Sequence, residues 1–133
     1  MKQSIIHISL LVRDYDEALD FYLQKLGFDL VEDTRLSETK RWVLVKPPGS
    51  SGCCLLLAQA ANEQQLLAVG NQSGGRVFLF LETDNFDKIY DAMLANGIVF
   101  VREPVVETYG TVAVFTDLYG NLWDLIERKV NAG

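Results

Sequence analysis

Residues 5–28 read IIHISLLVRDYDEALDFYLQKLGF, and residues 76–100, RVFLFLETDNFDKIYDAMLANGIVF, state the same pattern again. Each copy is an apolar strand, an acidic turn, an amphipathic helix and a closing glycine. In the first strand Ile6, Ile8, Leu10 and Val12 form a wholly apolar face, whereas Ile5, His7, Ser9 and Leu11 form a mixed one. The apolar face predicts a covering helix, and the mixed face predicts a cavity or a partner. Asp14 is the expected N-cap, Asp16 and Glu17 suit the first turn, and Ala18, Phe21, Tyr22 and Leu26 keep the helical period up to Gly27. In the second copy Val77, Leu79 and Leu81 oppose Phe78, Phe80 and Glu82, and Asp84 is the expected cap of a helix through Ile89, Tyr90 and Met93 to Gly97. An offset of 71 carries Val12, Arg13 and Asp14 onto Thr83, Asp84 and Asn85, and the same offset carries His7 onto Phe78.

The remaining segments complete the two copies. Residues 28–32 and 41–46 read as strands around a polar turn at 37–40, and the loop 47–52 holds two consecutive prolines that no ladder accepts. Residues 53–58 are entirely apolar, which predicts a strand buried on both faces or central in its sheet. After a polar linker at 59–75 with room for a helical turn, strands are expected on either side of Pro104, at 111–116 and at 122–127. Pro104 marks its strand as interrupted or at an edge. The sum is a βαβββ unit stated twice, each too small to bury its sheet alone. A single domain over 1–133 is expected, with module one at about 4–58 and module two at about 76–128.

Composition narrows the function. The net charge of −6 argues against nucleic acid, whose phosphates demand a basic surface. No apolar run approaches the ~18 residues of a membrane span and no signal peptide precedes the first strand, so the cytoplasm is the expected location. Cys53 and Cys54 are adjacent, and strand alternation points them to opposite faces, so a mutual disulfide is not expected.

Two polar residues stand out. His7, the chain's single histidine, lies on the mixed face of the first strand, where an imidazole could exchange hydrogen bonds or act as a base. Asp124 interrupts the apolar run Leu122–Ile126, and a carboxylate there needs a polar cavity or a partner. Glu82 lies ~13 Å along its strand from position 78, at the rim of any cavity. Trp42, Phe78, Phe80 and Phe115 supply aromatic surface for an organic ligand.

The duplicated module, with VRDYDEALDFYLQKLGF at 12–28 and FTDLYGNLWDLIE at 115–127, resembles the vicinal oxygen chelate superfamily of glyoxalases, extradiol dioxygenases and bleomycin resistance proteins. The resemblance implies an α+β fold in which two βαβββ modules form incurved mixed β-sheets with helices on the outside. It also implies a homodimer. In the family's metal-using members four side chains converge on a divalent metal. Their opening histidine matches His7 and their closing glutamate matches Asp124, but the other two positions fall on Phe78 and near Leu56, which cannot bind a metal. The leading expectation is therefore a protein that holds a small organic molecule in an aromatic-lined cavity with an incomplete metal site. The alternative is a metal-dependent lyase, isomerase or dioxygenase of the glyoxalase type using His7 and Asp124.

Overall fold

The computed structural model describes residues 1–129, and these divide into two compact units, one from Met1 to Gly70 and one from Asn71 onward. The first unit contains β1 (His7–Val12), α1 (Tyr15–Leu19), β2 (Asp29–Arg35), β3 (Arg41–Lys46), β4 (Cys54–Gln59) and α2 (Glu63–Ala68). Its sheet runs β1-β4-β3-β2, with β1 parallel to β4 and the other pairs antiparallel. Alternation sorts the two faces. Leu10, Val12, Val43, Val45, Leu55 and Leu57 are buried with Ala18, Phe21 and Tyr22 of the helical segment. On the opposite face His7, Ser9, Trp42 and Leu56 keep accessible surface. The all-apolar strand is central in its sheet and not buried on both faces: Leu55 and Leu57 are buried, while the residues alternating with them keep accessible surface.

The first helix departs from expectation. Instead of one α-helix to Gly27, α1 lasts five residues and passes into a π-helical segment, Asp20–Lys25. The Leu26 N–H there donates to the carbonyl of Phe21, five residues back, at 2.9 Å. The wider turn lets the neighbouring rings of Phe21 and Tyr22 both enter the core, where they meet edge to face at 5.1 Å. Gly27, at φ 77°, then turns the chain into β2.

The second unit contains β5 (Val77–Glu82), α3 (Phe86–Ala95), β6 (Val99–Glu107), β7 (Gly110–Thr116) and β8 (Leu122–Arg128). Its sheet runs β5-β8-β7-β6 with β5 parallel to β8, the order of the first sheet repeated. The cap of α3 is Asn85 and not Asp84: its side chain accepts from Lys88 N–H, while Thr83 Oγ1 accepts from Asn85 N–H. Tyr90 of α3, Phe100 of β6, Phe115 of β7 and Trp123 of β8 form a continuous run of ring contacts, from 4.6 Å to 5.8 Å between successive centroids. β6 is the outermost strand and its register slips between Arg102 and Val105, on either side of Pro104. A second slip, between Phe100 and Arg102, has its counterpart between Leu30 and Glu32 in β2. The duplication therefore extends to this one irregularity, whereas the slip beside Pro104 is the second unit's own. The fold is α+β, two βαβββ modules each built on a mixed sheet. No helix among the described residues is long and apolar enough to cross a membrane.

Candidate functional site

Strand register assigns the open face of each sheet row by row. In the first unit Ser9, Leu56, Leu44 and Glu32 are neighbours across all four strands. In the second, Phe80, Asp124, Val114 and Arg102 form the same row. Because Ser9 and Phe80 keep the offset of 71, Leu56 is the counterpart of Asp124.

His7 lies at the start of β1, its ring edge-on to Trp42 with centroids 5.9 Å apart. Its Nδ1 is buried and has no hydrogen-bond partner among the described residues. Its neighbour across the ladder is Cys54, and both cysteines are free thiols. Trp42 also walls a cavity of about 580 Å³ at the ends of β3 and β4, together with Tyr15, Arg41, Leu56, Ala58, Gln59 and Gln65. The floor is aliphatic, and amide and guanidinium groups stand at the rim, the usual arrangement for an organic ligand.

Arg41 ties this rim together. Its guanidinium donates to both carboxylate oxygens of Asp33, at 3.1 and 2.6 Å, and to Asp16 at 2.8 Å. It also lies over the Tyr15 ring at 5.1 Å, while its backbone N–H donates to the Tyr15 hydroxyl at 3.2 Å. Its hydrogen bonds to Asp33 and Asp16 raise the Arg41 pKa, and the Arg41 hydrogen bond holds the Asp33 carboxyl below the ordinary carboxylate range. Gln59 donates to the Arg13 carbonyl at 3.4 Å. Tyr15, Gln59 and Gln65 line the cavity without any signal in the sequence beyond position, because their grouping depends on contacts between distant segments.

In the second unit the candidate residues separate. Asp124 lies half-buried between the core residues Trp123 and Leu125 but on the opposite face. Burial pushes its carboxyl above the ordinary range, and Arg102 pulls the other way. Phe80, beside it across the ladder, is 67% exposed. Phe78 falls where the β5–β8 register slips, and its ring meets Trp123 edge-on at 6.5 Å, so it is partly covered and Phe80 is the more open phenyl of β5. Phe115 has no accessible surface and stacks on Trp123 at 5.8 Å; as a ligand contact it is corrected to a core residue. Glu82 accepts two hydrogen bonds from Arg128, and these, with the guanidinium charge, keep the carboxyl below the ordinary range.

A chelated metal needs three or more donors. Among the described residues no three His, Cys, Asp or Glu side chains come together in a way that could hold one. Leu56 and Phe78, at the remaining positions of the family's ligand set, have no lone pair to offer. The residues present therefore do not fit the divalent metal that the resemblance implies.

Known proteins give the same architecture. The family model for the Glyoxalase/Bleomycin resistance protein/Dioxygenase superfamily matches residues 4–125. An uncharacterized protein of Shewanella frigidimarina (strain NCIMB 400) is 62% identical over 128 residues, covering 96% of this chain and 95% of the relative. Among solved structures, UcmS2 is 30% identical with a TM-score of 0.83, covering 95% of this chain and 98% of its own. TnmS3, an antibiotic binding protein from Streptomyces sp. CB03234, is 28% identical with a TM-score of 0.78, covering 97% and 99%.

Proposed function

Since the chain belongs to the Glyoxalase/Bleomycin resistance protein/Dioxygenase superfamily, we propose that it binds a small organic molecule on the open faces of its sheets. The best-formed site is the Trp42 cavity of the first unit. One observation carries the reading: an aromatic wall beside about 580 Å³ of space, with a buried imidazole nitrogen next to that wall that lacks a partner. Trp42 offers a flat apolar surface, Leu56 and Ala58 continue it, and Gln59 and Arg41 orient the ligand's polar groups. His7 stands behind the cavity rather than in its lining, and its edge-on contact at 5.9 Å sets the Trp42 ring that faces the ligand. Asp124 plays the corresponding polar role on the second sheet. The antibiotic-binding description of TnmS3 supports this reading over chemistry at a metal. Cytoplasmic location and a homodimer belong to the same proposal.

The test is titration of tryptophan fluorescence and thermal shift with doxorubicin, tetracycline and bleomycin, then with a wider panel of aromatic natural products. Binding at about 10 μM or tighter, weakened about tenfold in Trp42→Ala, is the expected result. A panel without any binder, or a binder indifferent to Trp42→Ala and to His7→Ala, overturns the assignment.

A further inference from the structure

The open row of the second sheet is polarised. Phe80 and Asp124 are direct neighbours at one side; Val114 and then Arg102 follow. Phe80 is 67% exposed in the middle of a strand, so its phenyl face is free to take a ligand. Among the described residues no ion pair engages the Asp124 carboxylate. Its flanking residues Trp123 and Leu125 belong to the core, so the backbone that carries it is rigid.

An exposed aromatic face beside a partly desolvated carboxylate attracts an organic cation twice over. The ring quadrupole favours positive charge over its face, and the carboxylate favours it at the ring's edge. Arg102, exposed two strands away across Val114, stands outside the Phe80–Asp124 pair. We propose that Phe80 and Asp124 form a recognition element for the cationic head, a protonated amine or quaternary ammonium, of a small organic ligand. This rests on the small-molecule-binding reading and names the ligand class within it. Arg102 repels a second positive charge further along the row, so a monocation is preferred over a polyamine.

Choline and 3,3-dimethylbutan-1-ol have the same shape and differ in charge, which makes them the probes. Amide shifts of the full chain would be followed while each is titrated. The expected result is that choline shifts the amides of Phe80 and Asp124 and binds about tenfold more tightly than the alcohol. Asp124→Asn and Phe80→Leu should each weaken choline about fivefold or more and weaken the alcohol by a smaller factor, so that the preference for choline narrows. Equal binding of the two probes, or choline binding that survives both substitutions, overturns the inference. So does an absence of shifts at this row. If an aromatic compound nevertheless binds at Trp42, only this inference fails; if no compound in that panel binds either, the small-molecule reading fails with it.

Discussion

Asp14 and Asn85 stand 71 residues apart and cap their helices in the same way. Each side chain accepts a hydrogen bond from a backbone N–H three residues on, Glu17 at 2.8 Å and Lys88 at 3.3 Å. Both hold extended φ values, −150° and −146°, at the entry to a helix that covers one sheet. Asp14→Ala and Asn85→Ala should each destabilise the protein by about 1 kcal/mol. Urea denaturation followed by circular dichroism checks this. If Asp84→Ala costs more than Asn85→Ala, the assignment of the second cap is wrong.

That pair also shows what the sequence reveals and what it hides. The duplication, the central place of the all-apolar β4 and the edge position of the Pro104 strand follow from local pattern, and each is present. The second cap lies one residue beyond the expected Asp84 because Asp84 and Asn85 are both good capping residues, and only backbone geometry separates them. The burial of Phe115 is not legible because alternation does not say which face of β7 meets the helix; its contacts with Phe100 and Trp123 decide that. The cavity rim was least legible, since Tyr15 and Arg41 meet across 26 positions of sequence.

The raised pKa of Asp124 has a definite sign for stability. Folding makes its proton harder to remove, so the folded state holds more protons than the unfolded state in the window just above the ordinary carboxylate value. Stability contributed by this group therefore falls as pH rises through that window. Asp124→Asn should have a higher Tm than the parent at pH 7, and the gap should close below the ordinary carboxylate range. Thermal melts across pH 3 to 7 read this out; a parent that outlasts the variant at pH 7 would show a stabilising partner for the carboxylate.

Gly110 opens β7 where a side chain has no room. A Cβ built there lies 2.3 Å from the carbonyl oxygen of Glu127 and 2.9 Å from Cα of Arg128, both backbone atoms of the paired strand β8. Gly110→Ala must push the two strands apart, and a cost of about 1–3 kcal/mol is expected. By contrast Gly52→Ala meets only the Ser50 hydroxyl, at 3.3 Å, and should be nearly silent. Comparing the two denaturation midpoints separates the combined clash and positive-φ strain at Gly110, whose φ is 157°, from the general effect of replacing glycine.

Asp117 and Asn121 are buried polar residues that close the β7–β8 turn. The Asp117 carboxylate accepts from the backbone N–H groups of Tyr119 and Asn121 and from the Asn121 side chain, all within 2.9 Å. The Asn121 side-chain carbonyl oxygen accepts from Gln72 N–H at 3.0 Å, fastening the segment that leads into β5. Asn121→Ala removes the hydrogen bonds that its side chain donates to the buried Asp117 carboxylate and accepts from the Gln72 N–H, and should cost about 2–3 kcal/mol. Amide exchange at Gln72 should accelerate more than global stability loss explains; unchanged exchange there would mean the fastening is made elsewhere.

Arg41 offers the sharpest separation of charge from geometry. Its planar fork binds both oxygens of Asp33 while a third N–H reaches Asp16, and lysine cannot reproduce that pattern. Arg41→Lys keeps the charge and should still lose about 1 kcal/mol, with Trp42, the next residue, becoming more accessible to acrylamide quenching. Because Arg41 lowers the Asp33 pKa, the pair's contribution is present above the unfolded carboxylate value and is lost as pH falls through the lowered folded one. The stability gap between parent and Arg41→Lys should therefore shrink on acidification. A gap that stays constant at low pH would indicate that packing of Arg41 on Tyr15, rather than its hold on Asp33, keeps the cavity wall in place.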